Sequence, residues 1–323
     1  MAVGQTSVKN TAALSLERFR GVRPCGMPMP RRLALASELR NTIAPAMRQR
    51  LTAQRTMQTD LHVHASERHP SSQIFETASQ TDVGTLVLTN HNQVRNVFSD
   101  WRHAANNGVD DNFGSVMLTF RLRERFGIQT KVYYNPFDKK IADLVASHRQ
   151  HASEIMPAEA IERTLQGFSE RGCWIVWAYP GRHLSQGIDP RSFSDATKEL
   201  SRRGILHGLE TSHSGHTLLQ KHYLTRVAKD SGLWEDGGSD FPGFHVGDYT
   251  LFGNGTCWKA DVPYFVVEEV RRYLAAPILA KADDLARRGQ TNNAFHKLWQ
   301  ALMINPYDFS AYKRTARILE NAA

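Results

Sequence analysis

The chain has 323 residues, 41% hydrophobic content and a formal net charge of +8, enough for one large domain with an appendage or for two domains. No window reaches the ~18 uninterrupted apolar residues of a membrane span. The three scattered cysteines (Cys25, Cys173, Cys257) have no CxxC pairing, which argues against a disulfide framework or a thiolate zinc site and suits a reducing, cytoplasmic setting.

The charge is local. Residues 1–57 carry all of the excess, with ten basic side chains against Glu17 and Glu38, and the remainder is neutral. This basic N-terminal extension reads as a solvated or partly helical tail, as an arm touching nucleic acid or anionic lipid, or as an organellar transit peptide. It has no apolar core of the secretory kind. Residues 1–30 offer no metal ligand and few core-like runs. From Arg31 to Arg55 the spacing of Leu33, Leu35, Leu39, Ile43 and Met47 predicts a helix packed on the following domain, which Pro45 would kink or end.

From residue 58 to about 262, short apolar runs alternate with helical patterns, the rhythm of βα units. Predicted strands include residues 85–89, 131–134, 174–178 and 206–210. Predicted helices cover 158–170, closed by Gly172; 193–203, stopped by Gly204; and 217–230, ended near Gly232. The aromatics Tyr133, Tyr134, Trp174 and Trp177 read as packing. After residue 262 the pattern is helical, with segments at 266–274, 278–288 and 293–303. The tail through Tyr312 is similar to one tetratricopeptide helix pair, but a repeat array needs about three units. Residues 263–323 therefore read as a helical cap.

Polar residues gather at the ends of the apolar runs, the edge that carries the site in parallel α/β folds. Asp60-Leu61-His62-Val63-His64 is the most informative stretch. Side chains at i and i+2 on a strand share a face, so both imidazoles can reach one divalent metal. His91, Tyr179, Glu210 and Asp240 end later runs.

Together these segments resemble the PHP (polymerase and histidinol phosphatase) family of metal-dependent phosphoesterases. Its DLHxH motif stands as residues 60–64, its TDH as Thr89-Asn90-His91, and its HPGR as Tyr179-Pro180-Gly181-Arg182. Its GIEVYxxxH segment looks like residues 208–216, and its GSDFH like Gly238-Ser239-Asp240-Phe241-Pro242. The resemblance implies a distorted (β/α)7 barrel and metal ligands at His62, His64, His91, Glu210 and Asp240, with Glu210 alternatively orienting a histidine or capping a turn. Arg182 would then face phosphate, and His213, His216 and His245, with His183, would be candidates for proton transfer. Asn90, Tyr179 and Pro242 replace a family Asp and two family histidines. Glu67 or His69 stands near an expected acidic position, and Gln129 near an expected bridging Glu. These losses spare the ligand set of one ion, so one divalent metal (Zn, Mn, Fe or Mg) is expected rather than three.

Three functions are open: a metal-dependent hydrolase of a phosphate ester (a nucleotide, sugar phosphate or nucleic-acid end), a catalytically impaired PHP-like binding or regulatory protein, and a metal enzyme of different chemistry on the same scaffold.

Overall fold

A computed structural model describes residues 14–66, 68–81, 83–123, 126–213, 215–240, 248–250, 257–259 and 262–322. A short helical stretch at residues 14–17 and the helices α1 (Met29–Glu38) and α2 (Ala44–Gln54) precede the strands. β1 (Gln58–Val63) is followed by α3 (Ser71–Gln80) and pairs in parallel with β2 (Val83–Leu88). A mixed six-stranded sheet then runs in chain order: β3 (Asn90–His91), β4 (Gly114–Arg123), β5 (Phe126–Tyr134), β6 (Trp174–Ala178), β7 (Gly208–His213) and β8 (Trp234–Gly238). Helices α4 (Val97–Asn106), α5 (Lys140–His151), α6 (Ala158–Ser169), the short α7 (Pro180–Ser185), α8 (Pro190–Arg202) and α9 (Leu218–Asp230) connect them.

The helix stops at Gly172, Gly204 and Gly232 hold, because each takes the positive φ that a left-handed C-terminal turn requires. Thr217, at the head of α9, forms a capping box with Gln220. One departure from the βα rhythm is large. β4 and β5 form a long antiparallel hairpin, and β5 also runs antiparallel to β6. The predicted strand at 131–134 is only the last part of β5, and β4 was not expected. Its hydrophobic residues are interrupted by Thr119 and Arg121, which masked it as a buried run.

The two sheets meet at β1. Asp240 N donates to the His62 carbonyl at 2.8 Å, just beyond β8, and Ser239 N donates to Asp60 Oδ1 at 2.9 Å. A side chain at Gly238 would collide with the backbone of His62, so glycine is what permits this approach. On the other side, Asp110 bridges to β2 through Leu86 N and the Gly84 carbonyl.

A helical layer completes the molecule: α10 (Tyr264–Arg287), α11 (Thr291–Ile304) and α12 (Phe309–Asn321). The predicted segments 266–274 and 278–288 are one continuous helix across Pro277, because its buried face extends from Val266 through Leu274 and Ile278 to Ala282. The N-terminal helix is also continuous. A π-turn at Leu39–Ile43 joins α1 to α2 directly before Pro45, widening the spacing where proline would crowd the carbonyl four residues back. Leu39, Ile43 and Met47 pack with Trp299, Leu302, Tyr312 and Leu319, so this extension lies chiefly on the C-terminal helices. Leu16 and Phe19 are buried in the same cluster, contrary to the expectation of a leader with little core. Below it, Asp110 accepts from Arg50, Arg271 and Tyr307, all buried, and ties both layers to the sheet. No helix among the described residues is long and apolar enough to cross a membrane.

Candidate metal centre

β1 delivers His62 and His64 to one place, as their i, i+2 spacing predicts. His62 is buried and its Nδ1 lies 2.8 Å from Glu210 Oε1. An ionised carboxylate only accepts, so the His62 proton sits on Nδ1 and the Nε2 lone pair points the other way. There it meets His64 Nε2 at 3.1 Å. Asp240 Oδ1 is 3.2 Å from His64 Nε2 and 3.6 Å from His62 Nε2. Asp240 reaches this position with a left-handed φ of 56°, a conformation that Asp tolerates better than most residues. Asp60, the first residue of the motif, takes no part in the cluster. Its Oδ1 accepts from the backbone of His62 and Ser239 and fastens β1 to the end of β8.

Behind His62 lies a buried charged layer that the sequence reading missed. Lys131 Nζ, fully buried on β5, is 2.7 Å from Glu210 Oε1 and 3.3 Å from Asp236 Oδ1. Tyr133 donates to Asp236 Oδ2 at 2.8 Å, so one of the supposed packing aromatics is also a polar anchor. Glu210 accepts from Tyr179 N at 2.8 Å through its other oxygen. Burial would raise the Glu210 carboxyl, yet Lys131 and His62 overcome it and hold Glu210 well below the usual range. Burial, with the Glu210 charge added, leaves Asp236 raised despite Lys131. Lys131 itself is raised, since its two carboxylates outweigh desolvation. One signal for this layer was available: Lys131 and Tyr133 alternate onto one face of the run Lys131-Val132-Tyr133-Tyr134.

The remaining predicted residues divide sharply. His91 is exposed on β3 and its ring stacks on His64 at 4.6 Å, and partial desolvation in that stack, with the nearby imidazoles, lowers it. His213 ends β7 beside the cluster. Its Nδ1 accepts from Gly215 N at 2.9 Å, so a neutral His213 carries its proton on Nε2, which is buried, lacks a partner and lies 4.0 Å from Asp240 Oδ2. His216 is engaged elsewhere: its Nε2 accepts from Gly181 N and its Nδ1 faces the Thr211 carbonyl, so it props α7 against β7 and has no nitrogen left for proton transfer. His183 likewise accepts from Trp177 Nε1. Arg182 is exposed on α7. His69 closes a turn with Ser66 after β1. His245, Glu67 and Pro242 lie outside the described residues.

Tyr179 occupies the place of the expected third-motif histidine. Its hydroxyl donates to Asp240 Oδ2 at 2.6 Å. Burial and the neighbouring Asp240 raise the phenol, so it remains a donor. A left-handed φ of 56° at a bulky residue is strain of the kind that gathers at functional sites.

His62, His213 and Asp240 bring ring nitrogens and a carboxylate oxygen within 4.8 Å of one another, and His64 Nε2 adjoins them. With its Nδ1 accepting from Gly215 N, His213 presents an N–H there, so the lone pairs come from His62, His64 and Asp240. The donor set suits a divalent cation of borderline softness. His62 Nε2, its lone pair turned away from Glu210, lies 3.1 Å from His64 Nε2 and 3.6 Å from Asp240 Oδ1, close enough for these donors to share one cation. The residues present therefore fit a metal.

No family profile matches the chain and no curated protein matches it. Among solved structures, a proposed metal-dependent phosphoesterase from Bifidobacterium adolescentis is 14% identical over 68% of this chain and 96% of that one, with a TM-score of 0.49. An amidohydrolase from Chromobacterium violaceum, solved with sulfate and no metal, is 16% identical over 67% of this chain and 96% of that one, with a TM-score of 0.50. At that identity the likeness to the amidohydrolase shows the fold alone. The chain thus has a mixed α/β fold that a hydrolase-type structure also has, and within it a His/Asp cluster able to hold a metal.

Proposed function

We propose that this protein is a metal-dependent hydrolase of a phosphate ester, with a PHP-like site and one divalent cation. The observation that carries the reading is the convergence of His62 Nε2, His64 Nε2 and Asp240 Oδ1 on one point, with His62 fixed from behind by Glu210. In support of a barrel, the end of β8 is bonded to β1 and Asp110, just ahead of β4, is bonded to β2, so the two sheets have the contacts a closed ring requires. A cation held there supplies Lewis acidity to a phosphoryl oxygen and to the attacking water. Glu210 and Lys131 keep His62 in the tautomer that presents Nε2. His213 holds a proton on Nε2 at the edge of the cluster, positioned for a phosphoryl or leaving-group oxygen. Arg182 supplies fixed positive charge near α7 for a phosphate.

One observation favours a binding protein without turnover: the Tyr179 hydroxyl already takes one oxygen of Asp240. Phosphate release from a panel of nucleotides, sugar phosphates and short oligonucleotides, with Zn, Mn, Fe or Mg added, separates the two. Turnover that His62→Ala abolishes supports the hydrolase. Metal binding without turnover on any member supports the binding protein.

A further inference from the structure

Three arginines of the N-terminal extension are paired with acids far away in sequence. Arg50 pairs with Asp110, Arg55 with Glu268 and Arg40 with Glu320. Three of the four basic residues around one pocket break that pattern, the fourth being Arg40, which is paired with Glu320. A concavity of about 410 Å³ between the N-terminal helix and α12 is lined by Arg40, Arg48, Lys313 and Arg317, over a wall that includes Pro45 and Phe309. No acid lines it. Among the described residues, Arg48, Lys313 and Arg317 have no ion pair, whereas the adjacent Arg314 is paired with Asp283 at 3.1 Å.

Stability does not explain this arrangement. Lys313 and Arg317 are like charges at i, i+4, a spacing that destabilises a helix by a few tenths of a kcal/mol, and the unpaired Arg48 of the N-terminal helix lines the same pocket. Arg48 lies over the Phe309 ring at 4.8 Å and is exposed, presenting a braced guanidinium plane at the pocket. Cations with an arginine–aromatic platform suit an anion that also carries a flat ring. The volume falls in the range of small-molecule sites. Residues 1–13 contain Lys9 and no acid, so they have no charge complementary to the pocket.

We propose that this pocket is a second binding site for a nucleoside phosphate, free or at the end of a single-stranded nucleic acid. Its phosphates would be held by Lys313, Arg317 and Arg48, and its base would lie against the Arg48–Phe309–Pro45 wall. The site is separate from the His/Asp cluster, and the proposal stands whether or not that cluster is catalytic.

The test uses the full chain with EDTA present, so that a metal at the cluster does not contribute. A nucleoside diphosphate, a labelled single-stranded decanucleotide, inorganic phosphate and phosphatidylserine vesicles are titrated separately. The proteins are wild type, Lys313→Glu/Arg317→Glu, Arg48→Glu, and a control with the same double charge reversal at the exposed Arg287 and Arg288, each checked for an unchanged melting temperature. The expected result is saturable binding of the nucleoside diphosphate, tighter than that of inorganic phosphate. Each pocket variant should weaken it ~10-fold or more, given what charge-assisted hydrogen bonds contribute, and the control should not. Loss confined to the oligonucleotide and shared by the control would mean diffuse charge and overturn the proposal. So would binding indifferent to the pocket variants, binding to vesicles alone, or no binding. If the decanucleotide binds more tightly than the diphosphate and its affinity falls steeply with salt, the source is a nucleic-acid end.

Discussion

Glu210 Oε1 lies 2.8 Å from His62 Nδ1, with both side chains sealed from solvent. The same oxygen is 2.7 Å from Lys131 Nζ. One carboxylate therefore orients the histidine of the cluster while being held ionised by a buried lysine. The expectation that Glu210 might itself bind metal meets a residue whose oxygens already serve His62, Lys131 and the Tyr179 amide.

Glu210→Gln should lower metal affinity ~10–100-fold, the usual effect of losing a partner behind a metal-bound histidine. It should also cost about 3–5 kcal/mol of stability, because Lys131 is left buried without its nearer counter-charge. Adding Lys131→Met and Asp236→Asn to Glu210→Gln removes that stranded charge together with the buried carboxylate that Lys131 also serves. Urea unfolding should then show most of the stability restored, while metal titration should show affinity still low. Recovery of affinity in the triple variant would mean that Glu210 does not position His62.

Folding stability should fall in mild acid. His183 is 1% exposed, and burial, with the Arg182 charge added, lowers it to about 4. Unfolded, it titrates near ~6.5, so below that value the unfolded chain takes up a proton that the folded one refuses. The contribution is complete above pH 6.5 and is lost as the pH falls towards 4, on the order of 3 kcal/mol. His183→Asn keeps an acceptor for Trp177 and removes the titration. Its urea midpoint should depend less on pH between 4 and 6.5, by about one proton, and an unchanged slope would count against the assignment.

The ends of α6, α8 and α9 could be read from Gly172, Gly204 and Gly232, because the left-handed turn that stops a helix is a local requirement. His62, His64 and Asp240 could be identified because their motifs lie at strand ends. Of the Lys131–Asp236–Tyr133 layer, only the placing of Lys131 and Tyr133 on one face of β5 was legible, since Asp236 comes from β8, which is not a neighbour of β5 in the sheet. His216 and His183 look like catalytic candidates in sequence, but which atoms their nitrogens face is decided by the packing of α7. The antiparallel hairpin of β4 and β5 was hidden for a related reason, because strand direction leaves no trace in a short apolar run.

Deleting residues 1–30 should leave the metal content unchanged, as Leu16 and Phe19 pack with the C-terminal helices and the sequence of this stretch offers no plausible ligand. It should nevertheless lower the melting temperature, since Leu16 and Phe19 leave the core and Trp299 Nε1 loses the Leu16 carbonyl. Phe19→Ala alone should cost about 3–5 kcal/mol. A truncated protein with an unchanged melting temperature would contradict the packing, and one without metal would show that the extension completes the site.

Tyr179→His should add affinity for a second cation. The tyrosine hydroxyl occupies Asp240 Oδ2, and its raised pKa keeps it a donor rather than a ligand. An imidazole there would face the cluster with a lone pair. Calorimetric titration should show a second, weaker event absent from wild type. A single event of unchanged affinity would mean that the other ligands are not placed for a second ion.

The number of metal ions per chain is decided by elemental analysis of protein purified without a chelating tag and equilibrated in metal-replete buffer. Close to one divalent ion per chain is expected, nearly abolished by His62→Ala and by Asp240→Ala. Three tightly bound ions would contradict that, because Tyr179 and the neighbouring histidines would then be serving as ligands, and so would a wild-type protein that holds none.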